Sequence, residues 1–270
     1  MSATSIDYDP VAEIYDLYVT AVDDVPFFLQ EAQAAAGPVL ELTAGTGRLS
    51  LPLIEAGVAL TCVDVSPRML EVLDRKLRQR GLRAELRCAD ICQLELPARF
   101  RLALLPFQSF MEITGEARQR QALAAVHRCL LPGGRFICTL HNPALRRRQV
   151  DGTLRLVGRF PHREGSLVVS GFETGGQPVV NRLQFFECFG ADGSLRWKRL
   201  LPMRFELIER ERFAAMARDA GFRVRDVHGH YDRSPFDPAR SPFMIWVLEK
   251  KGSERGSRRP AIPHHTAVED

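Results

Sequence analysis

Val39 to Gly47, Val-Leu-Glu-Leu-Thr-Ala-Gly-Thr-Gly, limits what the 270-residue chain can fold into more than any other stretch. It reads as a short buried strand over Pro38–Leu42 that runs straight into a glycine turn. A helix over Arg48–Ala56 starts where the turn ends. Gly45 and Gly47 can take positive φ and let a ligand approach the main chain closely. The amides that open the helix have no partner inside it. In an open α/β sheet, the carboxyl end of such a strand is where ligands bind. A strand-to-helix turn with no ligand is the alternative.

On either side the pattern alternates. Leu60–Val63, Ala84–Cys88, Arg101–Leu105 and Arg135–Leu140 read as strands. Ser66-Pro67 opens a helix to Arg80, with Ser as N-cap and Pro at the first helical position. Glu116–Leu130 is a helix ended by Pro132-Gly133-Gly134. Strands alternating with helices predict an α/β fold with a doubly wound, mostly parallel sheet. Before the central strand, Val11, Ile14, Tyr15 and Tyr18 share one helical face, and Pro26–Ala36 is a second helix candidate.

The pattern changes after Pro143. Leu154–Phe160, Leu167–Glu173, Val179–Phe189 and Leu195–Phe205 are strand-like, and Asp192-Gly193 is a strong hairpin signal. They predict an inserted antiparallel β meander. Glu209–Ala220 follows as a helix, then Phe222–His228 and Phe243–Lys250 as two last strands, making a seven-stranded sheet. The expected organisation is an N-terminal helical cap over 1–37, an α/β domain over 38–143 and 206–250, the inserted β subdomain over 144–205, and a disordered tail over 251–270.

Composition removes several function classes. The apolar fraction of 45% is ordinary for a globular protein, and no apolar run reaches membrane-spanning length. The opening Met-Ser-Ala-Thr-Ser-Ile lacks the basic-then-apolar form of a leader, so a cytoplasmic location is expected, with no membrane partner. Cys62, Cys88, Cys92, Cys129, Cys138 and Cys188 have no metal-site spacing and read as free thiols, with no metal expected. A net charge of +4, partly from Arg146–Arg148 and Arg255–Arg259, is too small and local to imply a nucleic-acid partner.

Three acids fall at the ends of successive strands: Glu41, Asp64 and Asp90. A carboxylate after strand two can accept both hydroxyls of a ribose. Asp90 after strand three can accept from an adenine amino group, with the Ile91 amide donating to the ring. Two ligands compete for the corner. A dinucleotide fingerprint wants glycine or alanine where Ser50 stands, a near miss, and Glu41 would tend to repel its pyrophosphate. A ligand with a sulfonium and an ammonium is favoured by the same carboxylate, which points to S-adenosylmethionine.

Here a resemblance enters. Glu41-Leu-Thr43-Ala44-Gly45-Thr-Gly47 resembles the first motif of the class I S-adenosylmethionine-dependent methyltransferases. Val63-Asp64-Val65-Ser66-Pro67 resembles the second, Cys88-Ala89-Asp90-Ile91 the third, and Leu130-Leu131-Pro132-Gly133-Gly134 the turn before strand five. The resemblance covers about Tyr8 to Lys250 and implies the Rossmann-like methyltransferase sheet. The order of segments is similar to amino-sugar N,N-dimethyltransferases and glycine-type N-methyltransferases. Many members carry glycine where Thr43 stands, and a β-branched residue there implies a β-region backbone.

The resemblance implies roles for matched positions. The turn Thr43, Ala44, Gly45 and Gly47 would line the methionine part of S-adenosyl-L-methionine. Asp64 would hold the ribose, with Val65 beside the adenine, and Asp90 and Ile91 would read the adenine edge. Leu105 and Pro106 would sit near the amine and methyl. Arg48 can reach the cofactor carboxylate or stand solvated on its helix. Tyr15 can close over the sulfonium by cation–π contact or pack as a core aromatic.

Methyl transfer from sulfonium is an in-line displacement, so placing the nucleophile is most of the task. A base is needed only if the nucleophile arrives protonated. Glu112 stands where the amino-sugar enzymes tend to carry histidine, and can hold a cationic amine, act as base, or be a solvated or capping acid. His141 ends strand five as a base or as a satisfied strand-exit histidine. Tyr231 and Asp232 form a lid or an ordinary loop, and His127 is packing or surface. The expected function is methyl transfer to an N or O atom of a small-molecule acceptor, by a monomer or homodimer. The alternatives are an NAD-dependent oxidoreductase, resting on Gly45, Gly47 and Asp64, and a methyltransferase-like binding module without turnover, resting on Thr43.

Overall fold

The computed structural model describes residues 5–251. Its centre is β1 (Val39–Leu42), four residues that are all buried. β2 (Leu60–Asp64) and β4 (Phe100–Leu105) flank it in parallel, β3 (Glu85–Cys88) pairs outside β2, and β5 (Leu130–His141) pairs outside β4. β10 (Phe222–His228) and β11 (Phe243–Lys250) close the sheet, with β11 antiparallel to β5 and β10 antiparallel to β11. The order is β10-β11-β5-β4-β1-β2-β3. Its middle strands are apolar runs because helices cover both faces. Phe28 of α2 (Val25–Ala34), Leu53 of α3 (Ser50–Glu55) and Leu73 lie in one layer of the core, and Phe110, Leu123 and Phe213 in another. The seven-stranded, mostly parallel α/β sheet expected from the alternation is present.

α4 (Pro67–Gln79) shows how sequence dictates a local start. The Ser66 hydroxyl accepts from the Met69 amide at 3.1 Å, and Pro67 opens the first turn where no N–H is needed. Met69, Leu70, Val72, Leu73 and Leu77 form its buried face.

A second sheet carries β6 (Arg155–His162), β7 (Gly165–Gly175), β8 (Val179–Phe189) and β9 (Leu195–Glu206) in simple antiparallel order. Alternate residues of β7 and β8 turn inward, and Leu167, Val169, Phe186 and Leu201 pack with Ile6, Val11 and Ile14 of the N-terminal segment. The meander therefore carries that segment across the carboxyl ends of the main strands.

Two expectations change. The continuous N-terminal helix is a 3-10 turn, Asp9–Ile14, followed by one α turn, α1 (Tyr15–Tyr18). So short a helix is marginal by itself, and tertiary bonds decide its shape. The Ser66 hydroxyl donates to Asp9 at 2.5 Å, and the Thr46 hydroxyl donates to Asp16 at 2.6 Å. Secondly, Pro132-Gly133-Gly134 does not precede β5 but lies inside it. Pairing with β4 jumps from Phe100–Leu130 to Leu102–Arg135 across that stretch. All six cysteines are unpaired. The expected tail lies, from residue 252 onward, outside the described residues.

The corner after β1 uses its two glycines differently. Gly45 has φ +56°, and a Cβ there would meet no atom within 4 Å. Gly47 has φ +91°, and a Cβ there would lie 2.4 Å from Leu73 Cδ1 of α4. Gly47 thus serves helix packing rather than ligand approach, a correction to its expected place in the cofactor site. Gly47→Ala is expected to lower stability by about 2–4 kcal/mol, from left-handed strain plus overpacking. Gly45→Ala is expected to cost about 1–2 kcal/mol, from strain alone. Urea unfolding of the two variants against the parent protein checks the difference.

Candidate active site

One cavity of about 550 Å³ runs from the corner after β1, past the ends of β2, β4 and β5, to the inner face of the second sheet. It brings together Tyr15, Thr43, Gly45, Asp64, Val65, Asp90, Ile91, Glu112 and His141 from six separate stretches of chain. Ala44, Gly47, Arg48, Leu105 and Pro106 do not line it.

Asp64 anchors one end. One carboxylate oxygen accepts from the Gly45 amide at 2.8 Å, and the other accepts from the Ser66 amide at 2.8 Å. Burial raises its carboxyl above the usual value, and the amides of Ser66, Gly45 and Val65 oppose this. Each oxygen keeps a further lone pair for a ligand hydroxyl. Beside it Val65 is 42% exposed, an apolar side chain left open along the cavity wall. Asp90 accepts from the Cys92 amide at 2.8 Å and from Arg118 at 2.9 Å. Burial works against its ionisation, but Arg118 and the Cys92 amide prevail and hold the carboxyl below its ordinary value. An open cradle at Gly45, two acids with spare acceptor sites and an exposed valine fit a nucleoside with a polar tail.

The Tyr8 hydroxyl donates to Glu112 Oε1 at 2.9 Å towards the other end. Burial pushes the Glu112 carboxyl up to about 7, with Tyr8 opposing and Asp64 adding to the shift. His141 is pushed the other way, to about 4, by burial and by Arg146 and Arg182. Its ring lies against Phe243, with centroids 5.7 Å apart. Tyr15 packs edge-on against Tyr8 and Tyr18, and Tyr18 reaches Phe186 of β8, so aromatic contacts join the N-terminal segment to the second sheet.

Several expectations are corrected. Thr43 is not in the β region: its φ is +56°, and its hydroxyl donates to the neighbouring Leu42 carbonyl at 2.6 Å. The corner demands a left-handed residue there and imposes it on a β-branched one. Glu41 does not reach the cavity. It is 1% exposed, and burial pushes its carboxyl up to about 8 against Ser50 and Arg48. The electrostatic preference built on Glu41 therefore does not hold.

Arg48 is not free for a cofactor carboxylate. It forms a two-pronged ion pair with Asp24, bonds the Ala21 carbonyl and lies 4.5 Å over the Phe107 ring. Ala44 turns into the core, with its amide on the Val63 carbonyl. Leu105 and Pro106 are buried beneath the rim, and the next residues line it instead. Tyr231 packs against Phe27, Phe28 and Phe243, and Asp232 turns back onto Ser234, so neither is a lid. His127 packs on Phe222, as its packing reading holds.

Sequence reasoning missed Tyr8, Phe107, Gln108, Arg182, Gln184, Met203 and Phe205, all of which line the cavity. Phe107 and Gln108 have φ +57° and +62°, which no glycine announces. Arg182 and Gln184 had a usable signal: both fall on the inward register of a strand whose other inward residues are apolar.

A methyltransferase-domain family model matches residues 39–134. The chain is 27% identical to a cypemycin N-terminal methyltransferase of a Streptomyces species, over 93% of this chain and 100% of that one. It is 33% identical to a phosphatidylethanolamine N-methyltransferase of Cereibacter sphaeroides, over 57% of this chain and 89% of that one. A crystal structure of an S-adenosylmethionine-dependent methyltransferase from Clostridium acetobutylicum superposes with a TM-score of 0.76 at 19% identity, covering 91% of this chain and 99% of that one.

The geometry carries two predictions. Glu41 and Glu112 hold protons in the folded protein that they lose when it unfolds, so stability falls as pH rises towards their folded values. His141 and His127 act oppositely, but only below their unfolded value near 6.5. Between pH 6.5 and 8, stability is therefore expected to fall, by at most about 1.4 kcal/mol per pH unit for each carboxyl. Glu41→Gln is expected to flatten that fall in urea unfolding across the pH range. Thr43→Gly, which relieves the left-handed strain, is expected to raise stability by up to about 1 kcal/mol, net of the added chain entropy. Thermal unfolding measures it.

Proposed function

Because the chain belongs to the S-adenosylmethionine-dependent methyltransferases, we propose that it is an N-methyltransferase whose acceptor is a small molecule bearing an amine. The NAD-dependent alternative has lost ground, since the relatives are methyltransferases throughout. The relatives named above are N-methyltransferases for a peptide N-terminus and for a phospholipid amine, and they favour nitrogen over oxygen. The observation that carries the reading is that one cavity joins the Asp64–Gly45 edge to Glu112.

In this reading Asp64 accepts the ribose hydroxyls, Val65 and Ile91 flank the adenine, Asp90 accepts its amino group, and Thr43 and Gly45 border the methionine part. When bound, the cofactor supplies a methyl group activated on sulfur. Tyr15 and the N-terminal segment form one wall of the cavity. An acceptor amine that arrives protonated must lose that proton before it can attack. His141, at about 4, is too weak a base for an ammonium. Glu112, at about 7, is matched to the task. Tyr8 occupies Oε1, which leaves Oε2 to take the proton. In this reading the protein acts in the cytoplasm on a small-molecule acceptor, without membrane or nucleic-acid partners, as a monomer or homodimer; among the described residues no helix is long and apolar enough to cross a membrane.

Calorimetry with S-adenosylmethionine is expected to show binding that Asp64→Asn weakens about tenfold or more. With an amine acceptor, kcat/KM is expected to rise with pH through about 7 and level off, and Glu112→Gln is expected to lose that limb. No binding at millimolar cofactor would reject the proposal.

A further inference from the structure

The far wall of the cavity carries a charge that nothing in the methyl-transfer reading uses. Arg182 and Gln184 stand two residues apart on β8, so both project from its inner face. Opposite Gln184 on β7 is Gly171, which offers no side chain to fill the space.

The charges on this wall do not balance. Glu173, directly across from Arg182 on β7, is its one acidic ion-pair partner among the described residues. Arg146 already takes both Glu173 oxygens, each at 2.5 Å, and stacks on Phe205. Arg182 reaches Glu173 only through Nε, at 3.7 Å, and makes no hydrogen bond among the described residues. Two guanidiniums thus share one carboxylate, and the unspent one faces the cavity. Gln184 is 4% exposed and lines the same space, and its side-chain amide has no partner among the described residues. An amide on a cavity wall whose donors are unspent within the protein is open to a ligand.

Resting on the N-methyltransferase reading, we propose that the acceptor carries a carboxylate as well as its amine, and that Arg182 and Gln184 hold the carboxylate. A guanidinium matches a carboxylate with two parallel N–H···O bonds, and the Gln184 amide adds a third donor. One unspent positive charge balances one negative charge, which fits a carboxylate better than a phosphate dianion. The same guanidinium disfavours an acceptor that brings only a second cation. Glu112 and the Arg182–Gln184 pair then divide the acceptor between them: the first takes the proton from its amine, and the second fixes its acid end. Arg182 and Gln184 act as specificity residues and move no proton.

The test compares methyl transfer to glycine, alanine and phenylalanine with transfer to methylamine, ethylamine and phenethylamine, which lack only the carboxylate. The full-length protein is assayed beside Arg182→Met, Arg182→Lys and Gln184→Leu. The amino acids are expected to exceed their matched amines in kcat/KM by about tenfold or more. Arg182→Met is expected to raise KM for the amino acids about tenfold to a hundredfold, with kcat little changed, and to erase the preference. Arg182→Lys is expected to restore part of it, and Gln184→Leu to raise KM about tenfold.

Amines turned over as well as amino acids, no turnover of any amino acid, or a preference that survives Arg182→Met would each overturn the proposal. Calorimetry with S-adenosylmethionine on the same preparations separates the two levels. Cofactor binding with transfer to neutral amines alone refutes the carboxylate subsite and leaves the methyltransferase reading standing. Absence of cofactor binding refutes that reading itself.

Discussion

The site depends on one carboxylate that receives two main-chain amides. Asp64 stands at the end of β2 and takes the Gly45 amide on one oxygen and the Ser66 amide on the other. Those bonds tie the corner after β1 to the start of α4. The Asp9 carboxylate then takes the Ser66 hydroxyl and fastens the N-terminal segment to the same point. Charge-assisted bonds of this kind are about twice as strong as neutral ones. A single side chain therefore fixes the corner, holds the Ser66 cap of the helix in place and still turns spare lone pairs towards the cavity.

Strain gathers around the same opening. Thr43, Phe107 and Gln108 all line the cavity, and all have left-handed φ without being glycine. Each such residue costs about 1–2 kcal/mol, so together they take up a sizeable part of a domain's usual 5–15 kcal/mol. The surrounding packing has to over-determine these conformations. Leu42 holds Thr43 through its carbonyl, and Arg48 lies over Phe107 while locked to Asp24. Arg48 thus does at the rim what its position suggested it would do for a ligand: it spends its charge on holding the loop.

Much of the main sheet was legible because its signals are local. The β1 run, the Ser66-Pro67 start and the four strand-like stretches of the meander need only alternation, caps and turns to be read. Asp64 and Asp90 were legible because a strand end dictates where they project. Glu41 was misread because β1 is buried on both faces, so a strand-end acid can point into the core and be neutralised there by burial. Thr43 was misread because the demand for a left-handed residue comes from the corner as a whole and overrides what its own side chain prefers. Tyr8 became part of the site only when Ser66 and Thr46 bent the N-terminal segment into place, a tertiary event with no periodic trace.

The two ends of the cavity show how one fold separates two tasks. Near the corner, main-chain amides and strand-end acids set the geometry, and these positions follow from the topology of the α/β sheet. At the far end the wall comes from β8 and β9, whose alternation fixes which residues face inward but not what they are. Any side chain on that inward register that keeps the sheet packed is acceptable to the fold. Arg182 and Gln184 lie outside the apolar cluster of Leu167, Val169 and Phe186 that packs the meander against the N-terminal segment. On the proposed reading, the end that takes the cofactor is constrained by the architecture, whereas the end that takes the acceptor is free to carry chemistry particular to this chain.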